Sequence, residues 1–423
     1  MNTATANQTL SVPKDARKAM LEELAEIGKS YTAQQRKAPV FICHDLGTST
    51  GRVGYALMND TGTWTVAETS FPDVVATPIS AHAKSFIERK GGKIIAGDVW
   101  GADVQKYNDV VAKARNPLKN SKVLESEQGR KDLANMQRYG LRVALELMEQ
   151  GKLGVNDVFY AIGTPGKMSD HFNNELITKG YEQLGELLGF KERSMTVQPF
   201  SETDCVVAGL GSALADEKVL AVNFGHGTHE VAFAKPGRHG EDYDPNAVYT
   251  ECDFGGAHLT EQVKALLGRE FSRKGLSPAL LDDPECMLDY KHKILSDATG
   301  DELRVSTTSG SNIVPVRIRE IREQVLGDYF RKAASILRKH ADGLSLKPAV
   351  LDDFLKNILV FGQATQAQGF SERYGRAVKQ QFSGKEVAVH QAPDNMFGVL
   401  YGLMVNAARM HADNSDAIVY APK

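Results

Sequence analysis

Two short loops in this sequence carry residue types suited to binding phosphate. The first is Leu46-Gly-Thr-Ser-Thr-Gly51, which directly follows Asp45, and the second is Gly225-His-Gly-Thr228. A loop that reverses the chain at glycines presents backbone N–H groups to an anion, and Thr or Ser hydroxyls add further donors. Each loop alone is a weak signal, because such a turn is more often a plain hairpin turn. Together they predict a cradle for the phosphates of a nucleotide.

The residues around both loops predict the same local structure. An apolar run, 40–45, precedes the first loop, and the strand-like segment 52–58 follows it. The segments 219–224 and 229–234 flank the second loop in the same way. Short apolar runs bounded by turn residues are typical of buried strands. One strand–loop–strand hairpin in each half indicates a duplicated domain, with both loops facing a shared cleft.

Each hairpin is followed by a strand that ends at a glycine and leads into a helix. Gly163 ends the first of these strands, and Gly362 ends the second. Alternation of strand and helix patterns predicts an α/β class. At 423 residues the chain is also long enough for two domains.

The order of these segments resembles the actin superfamily, most closely the bacterial actins of the MreB and MamK type. The resemblance spans about residues 38–412, and the motif order is its specific part. It implies an actin-like, ribonuclease H-like duplicated two-domain fold with a nucleotide cleft. The matching segments are Asp45–Thr50 and Val222–Thr228 (phosphate loops), Ile94–Asp98 and Asp253–Gly256 with Leu259–Glu261 (small subdomains), Phe159–Pro165 and Asp394–Gly402 (connecting segments), Val197–Phe200 with Ala208–Leu210 (the helix with the catalytic carboxylate) and Val360–Gly362 (adenosine loop).

Domain boundaries follow from the resemblance, with one smaller inserted subdomain per domain. The predicted ranges are 1–36 for an N-terminal extension with an amphipathic helix, 37–74 and 151–215 for the first domain (IA), 75–150 for its small subdomain (IB), 216–254 and 311–423 for the second domain (IIA), and 255–310 for its small subdomain (IIB).

The resemblance also implies ATP or ADP with Mg²⁺ as cofactors and assigns site residues. Asp45 and Asn223 are expected to hold Mg²⁺ through water, and Gln198 is expected to orient the attacking water. The expected phosphate-binding residues are Gly47, Thr48, Ser49, Gly225, His226, Gly227 and Thr228. The expected nucleoside-binding residues are Lys291, His292, Gly362, Gln363 and Ala364.

Several of these positions depart from the family pattern. Asn223 stands where the family has Asp, Gln198 where MreB and MamK have Glu, and His292 where a Glu contacts the ribose. Gln363 and Ala364 stand where the adenosine loop has glycines. Loss of a general base costs about 10²–10⁴ in rate. Two interpretations stay open: family drift that leaves the site intact, or an ATP hydrolase so slow that its polymers turn over slowly. The second predicts that Gln198→Glu raises phosphate release.

Composition and charge argue against several other classes of protein. A formal charge of −3 gives no electrostatic reason to expect direct nucleic-acid binding. The four cysteines are far apart in sequence, which supports neither a disulfide framework nor a zinc site. No apolar stretch is long enough to span a bilayer, and the N-terminus lacks a secretory pattern. We therefore expect a cytoplasmic protein, without membrane contact.

A helical pattern near the N-terminus places Met20, Leu24, Ile27 and Tyr31 on one face. Acidic residues on the other side argue against a membrane-surface helix. We expect the helix to pack on its own protein or on a neighbouring subunit.

Two function classes stay open. Sugar kinases and chaperone ATPases share this type of fold, but no acidic kinase base is evident in the first half, and no β-rich domain follows residue 400. The first class is a bacterial actin-like cytoskeletal filament, a homopolymer with an adaptor or cargo protein as a further partner. The second is a non-polymerising nucleotide sensor that acts through its N-terminal helix.

Overall fold

Two five-stranded sheets form the centre of the described part of the chain. The computed structural model describes residues 12–46, 50–72, 127–154, 157–166, 170–189, 194–210, 214, 218–234, 248–252, 254–282, 284–296, 302–306, 313–394 and 397–413. The first sheet contains β1 (Val40–Asp45), β2 (Thr50–Met58), β3 (Trp64–Pro72), β4 (Val158–Thr164) and β5 (Met195–Ser201). The second half contains β6 (Val219–Phe224), β7 (Thr228–Ala234), β8 (Val248–Cys252), a ribbon of β9 (Glu302–Ser306) and β10 (Ile313–Arg317), then β11 (Ile358–Phe361) and β12 (Val389–Gln391).

The two sheets have the same strand order and direction. The first runs β3-β2-β1-β4-β5 and the second runs β8-β7-β6-β11-β12. In each sheet the middle strand pairs antiparallel with its hairpin partner and parallel with the strand from further along the chain. The α/β class and the duplication predicted from the two hairpins are confirmed.

Helices cover both sheets. Their bounds are α1 (Ala16–Ala33), α2 (Glu127–Gln150), α3 (Asp170–Leu188), α4 (Glu202–Gly209), α5 (Gly256–Arg273), α6 (Pro284–Leu295), α7 (Arg319–Gly343), α8 (Pro348–Leu355), α9 (Phe370–Gln381) and α10 (Gly398–Asp413). Short 3₁₀ turns span 278–281 and 363–366. None of the helices in the described ranges is both long and apolar enough to cross a membrane. Most of the predicted small subdomain 75–150, including Ile94–Asp98, lies outside the described residues.

The buried side chains form three clusters. Alternate residues of a strand belong to different clusters, because successive side chains point to opposite faces of the sheet. Val40 and Ile42 of β1 pack with α2 and α3, whereas Phe41 and Cys43 face the opposite side, toward α1, α4 and α10. That second cluster reaches Ala221 of β6, so α4 and α10 lie between the two sheets. The far face of the second sheet packs with helices that include α5, α7 and α9.

The packing of α10 differs from the predicted domain division. Residues 398–413 belong to the range 311–423 predicted for the second domain, but Leu403 and Met404 pack with β1, β4 and α1 of the first domain. The reason is a close helix crossing between α4 and α10, because a Cβ on Gly402 would lie 1.6 Å from the carbonyl oxygen of Cys205. The chain therefore returns to the first domain at its last described helix. The remaining domain boundaries stay predictions.

Helix α1 packs on its own chain through the face predicted from sequence. Met20, Leu24, Ile27 and Tyr31 are at most 9% exposed and lie in the cluster shared with α10. Glu23 pairs with Arg409 of α10 at 3.0 Å, with both side chains largely buried. The apolar side of α1 is thus an internal surface of the first domain.

The core of the second domain holds an imidazole that its surroundings keep neutral. His229 is 0% exposed and lies between the rings of Phe224 and Phe254, at centroid distances of 4.6 and 5.5 Å. Burial lowers the pKa of His229 to about 3. In the unfolded chain the pKa of His is about 6.5, so the unfolded state binds the extra proton first as pH falls. Stability is therefore full above pH ~6.5 and lost as pH falls below it.

Replacing this histidine is expected to flatten part of the pH dependence of folding. Between pH ~7.5 and ~5, His229→Phe should lose about 2 kcal/mol less stability than the wild type, because one buried neutral imidazole is gone. Urea unfolding at both pH values measures the difference. The comparison at the higher pH gives the packing effect of the new ring alone. Equal pH slopes for the two proteins would mean that His229 carries its proton in the folded state.

Candidate functional site

The middle strands of the two sheets, β1 and β6, end at Asp45 and Phe224, directly before the two predicted phosphate loops in sequence. Asp45 is the last residue of β1, and Gly47, Thr48 and Ser49 lie outside the described residues. In the second loop, the carbonyl oxygens of Gly225 and His226 accept hydrogen bonds from Gly256 and Ala257, at 2.9 and 2.7 Å. The beginning of α5 therefore fixes the backbone of the second loop.

The carboxylate of Asp45 is paired within its own hairpin. The guanidinium of Arg52, opposite Asp45 in the β1–β2 register, donates to its Oδ2 at 2.7 Å. Asp45 is 2% exposed and Arg52 is 8% exposed. Burial raises the pKa of the Asp45 carboxyl, and the charge and hydrogen bond of Arg52 oppose that rise. Arg52 thus places a buried guanidinium beside the end of β1.

In the second hairpin, the amide of Asn223 lies between two carboxylates. Its Nδ2 donates to Oε2 of Glu202 at 2.9 Å and to Oε2 of Glu230 at 3.3 Å. Glu202 is the first residue of α4, and Glu230 lies on β7. Burial, with the neighbouring Glu230 and Asp45 carboxylates, raises the pKa of Glu202 well above its usual range. Glu202 therefore holds a proton more readily than an exposed glutamate does.

The structure places Gln198 on a strand rather than on the helix that resembles the family's catalytic segment. Gln198 pairs with Ala161, two residues short of Phe200, whose β4 partner Gly163 is in turn opposite Asp45. Two strand residues correspond to roughly 7 Å. The side-chain Nε2 of Gln198 donates to the carbonyl of Pro199, its own neighbour.

Glu202, which the sequence analysis did not select, is the first residue of α4, directly after the strand that carries Gln198. A signal for it exists in the sequence, since Ser201-Glu-Thr-Asp204 has the Ser-x-x-acid pattern that begins many helices. Arg52 was not predicted from the sequence either. The signal for it is its opposite charge at the position across the hairpin from Asp45, which is a recognisable cross-strand pair. Glu230 is a third residue that the site adds.

The predicted adenosine loop meets the second phosphate loop through a glycine. Gly362 has φ of +98°, and a Cβ there would lie 2.4 Å from the carbonyl oxygen of Phe224, so a side chain has neither the backbone conformation nor the room. The 3₁₀ turn that follows contains Gln363 and Ala364. Thr365, 1% exposed, donates its hydroxyl to the Gly362 carbonyl at 2.7 Å. The strand end and the turn are thus locked together.

Lys291 and His292 lie on α6, behind the second loop. The Nζ of Lys291 donates to the carbonyl of Gly256 at 2.8 Å, and burial lowers the pKa of Lys291 to about 8. The side chain of His292 is exposed. Partial burial of its imidazole, together with the charge of Lys291, lowers its pKa. Of the two, Lys291 is therefore tied to the residues that support the second loop.

The side chains of Asp45 and Asn223 do not offer the ligands of a conventional magnesium site. Mg²⁺ is usually held by one or two carboxylates, but Asp45 is already paired with Arg52, and Asn223 turns its amide nitrogen toward Glu202 and Glu230. No group of three His, Cys, Asp or Glu side chains in the described ranges is placed to hold a metal ion.

The duplicated sheets, with β1 and β6 as their middle strands and with α4 and α10 between them, are the actin-like two-domain fold. Its similarity to solved structures supports this: the MamK double helical filament has a TM-score of 0.52 at 16% identity, with 88% of this chain and 99% of that chain covered. A non-polymerising MamK mutant bound to AMPPNP gives 0.51 at 16% identity and the same coverage. No protein-family model matches the chain, and no curated protein matches it either. The recognition of an actin-like fold is confirmed.

Proposed function

We propose that this protein binds ATP in the cleft between its two domains and polymerises into cytoplasmic filaments, with slow hydrolysis of the nucleotide. The observation that carries the proposal is the pair of matching hairpins in two equivalent sheets, in which Asp45 ends the middle strand of the first and Asn223 precedes the last residue of the middle strand of the second. A related arrangement occurs in solved MamK structures, one a filament and one bound to AMPPNP. The expected partners are further copies of the chain, with an adaptor or cargo protein.

Bound ATP would supply the phosphoryl chemistry, and the chain would supply positioning and a proton acceptor. The loops at 46–49 and 225–228 are assigned to the phosphates, and the turn at Gly362 is assigned to the adenosine. Arg52 places positive charge beside the end of β1. We assign to Glu202 the role of proton acceptor for the attacking water, a role that the amide of Gln198 cannot take, because Glu202 lies at the helix start beside Asn223 and can hold a proton.

Head-to-tail contacts between copies would build the polymer. A heterologous interface that does not close on itself extends indefinitely, so one contact repeated along the chain is enough for a filament. The alternative, a non-polymerising sensor acting through α1, finds less support, because the apolar face of α1 is buried against α10. A partner that met α1 in place would contact only its polar outer side, which includes Glu22, Glu26 and Lys29.

Nucleotide-dependent assembly tests the proposal directly. The pure protein with ATP is expected to scatter light and to sediment, and with ADP or without nucleotide it is expected to do so less. Phosphate release followed in the same samples should be slow compared with assembly. A protein that binds ATP yet stays monomeric at every concentration and salt would favour the sensor. A protein that binds no nucleotide would remove both functions.

A further inference from the structure

A hydrogen-bonded network crosses from the first domain to the second at the base of the cleft. The first domain contributes Glu202 and Thr203 at the start of α4, and the second contributes Asn223 and Glu230. Asn223 donates to Glu202 at 2.9 Å, and the Thr203 hydroxyl donates to Oε2 of Glu230 at 2.9 Å. All four side chains are at most 9% exposed. The contacts are therefore shielded from water, where hydrogen bonds between protein groups count most.

Glu230 is the central acceptor of this network. Besides Asn223 and Thr203, it accepts from the Thr250 hydroxyl at 3.3 Å and from the backbone N–H of Gly166. A Cβ on Gly166 would lie 2.0 Å from Oγ1 of Thr250 and 3.0 Å from Oε1 of Glu230, so the first-domain backbone lies directly against this carboxylate. The donors to this one carboxylate come from both domains. Glu230 thus ties α4 and the end of β4 to β7 and β8.

The residue type at position 223 decides whether this network needs a cation. Glu202 and Glu230 both direct an oxygen at the same nitrogen. An amide NH₂ has two hydrogens to donate and satisfies both carboxylates, whereas an aspartate there would be acceptor-only. With an aspartate, three acids would meet in a buried site, and like charges at such distances repel strongly. A divalent cation can join such groups by offsetting their charge.

At Asp45, in the first domain, a nitrogen donor of the chain likewise stands where a cation was expected. The sequence assigns magnesium to Asp45 and Asn223, yet Arg52 already holds Asp45 at 2.7 Å. Both positions are therefore served by nitrogen donors of the chain itself. The two positions expected to hold magnesium are thus already bonded within the protein.

We propose that Asn223 is a positioning residue that joins the two domains across the cleft without a divalent cation. Its amide takes the place that a bound metal ion would fill between Glu202 and Glu230. Closure of the domains then depends on this network, and it persists in the absence of magnesium. The proposal concerns the protein without nucleotide, so it stands or falls separately from ATP binding and assembly.

Thermal unfolding in EDTA or in millimolar magnesium chloride, without nucleotide, tests the proposal. The wild-type melting temperature is expected to be the same in both. Asn223→Asp should melt at a lower temperature in EDTA and regain part of the loss with magnesium or calcium, because a cation can then join the three acids. The matched control is Asn357→Asp, a buried asparagine at the opposite end of the second sheet, 7% exposed. It should lose stability without any recovery by magnesium.

A second variant and a second measurement cover the case in which Asn223→Asp folds poorly. Adding Glu230→Gln to Asn223→Asp removes one of the three acids, so the double variant should recover stability and lose its response to magnesium. Small-angle X-ray scattering should show an unchanged radius of gyration for the wild type in EDTA. A wild type that expands in EDTA or gains as much from magnesium as Asn223→Asp would overturn the proposal. So would an Asn223→Asp protein that is indifferent to the metal.

Discussion

Gly402→Ala is expected to lose roughly 4 kcal/mol or more of folding stability, or to prevent folding altogether. A methyl group at this position would lie 1.6 Å from the carbonyl oxygen of Cys205 and 2.1 Å from its carbonyl carbon. The obstacle is backbone on α4, which no rotamer change can move. Gly209 of α4 lies on the other side of the same crossing, where an added Cβ would be 3.1 Å from the Gly402 nitrogen. The two helices can approach this closely only at glycines.

Gly398→Ala is the matched control within the same helix. A Cβ on Gly398 would have Val206 as its nearest neighbour at 3.8 Å, which is an ordinary van der Waals contact. Its effect on stability should stay within about 0.5 kcal/mol, as for other substitutions that create no clash. Urea unfolding followed by circular dichroism compares the two variants. Similar stabilities for both would show that α4 and α10 do not cross at this distance. Because α4 carries Glu202 and Thr203, any folded Gly402→Ala protein should also bind nucleotide more weakly.

Most of the fold could be predicted from the sequence, because the patterns that indicate the two hairpins are local. Asp45 and the glycine-rich loop after it follow an apolar run, and the same pattern occurs again around Asn223. Strand, turn and strand are within about twenty residues of each other, so composition and spacing alone indicate them. The duplication is visible as a repeat of this pattern. The matching strand order of the two sheets confirms it.

The placement of α10 could not be predicted in the same way. Its partner in the close crossing, Cys205, is almost two hundred residues away in sequence. Glycines at 398 and 402 are compatible with a close approach, but they do not say which element approaches. Tertiary packing decides which sheet this helix contacts, and in the structure α10 packs against β1 and β4.

The site shows the same division between local and non-local information. Asp45 and Asn223 were predicted because each lies at or next to the end of a strand before a glycine loop. Gln198 was selected by resemblance to a motif, and its distance from the sheet edge depends on the pairing of β5 with β4, which no single segment encodes. The Ser201–Asp204 helix start was a local signal for the alternative. The bonds of Glu230 to Thr203 and Gly166 depend on the contact between domains, and no sequence pattern in one chain indicates them.

Glu202→Gln is expected to lower the rate of phosphate release by about 10²–10⁴, the usual cost of removing a general base. Nucleotide affinity should change little, because the amide oxygen of the new glutamine can still accept the hydrogen bond from Asn223 that Glu202 accepts at 2.9 Å. Gln198→Ala is the control on the preceding strand, and it should release phosphate at nearly the wild-type rate. Single-turnover measurements with saturating nucleotide separate the chemical step from binding.

The pH dependence of the rate distinguishes a proton acceptor from a residue that only supports α4. Burial and the neighbouring acids raise the pKa of Glu202 well above its usual range. A base must lose its proton before it can act, so the wild-type rate should rise with pH through that raised pKa, while Glu202→Gln should show no such rise. A purely structural role would lower the melting temperature and the nucleotide affinity of Glu202→Gln and leave the pH profile unchanged. A large loss in Gln198→Ala with a normal Glu202→Gln would return the role to the strand residue.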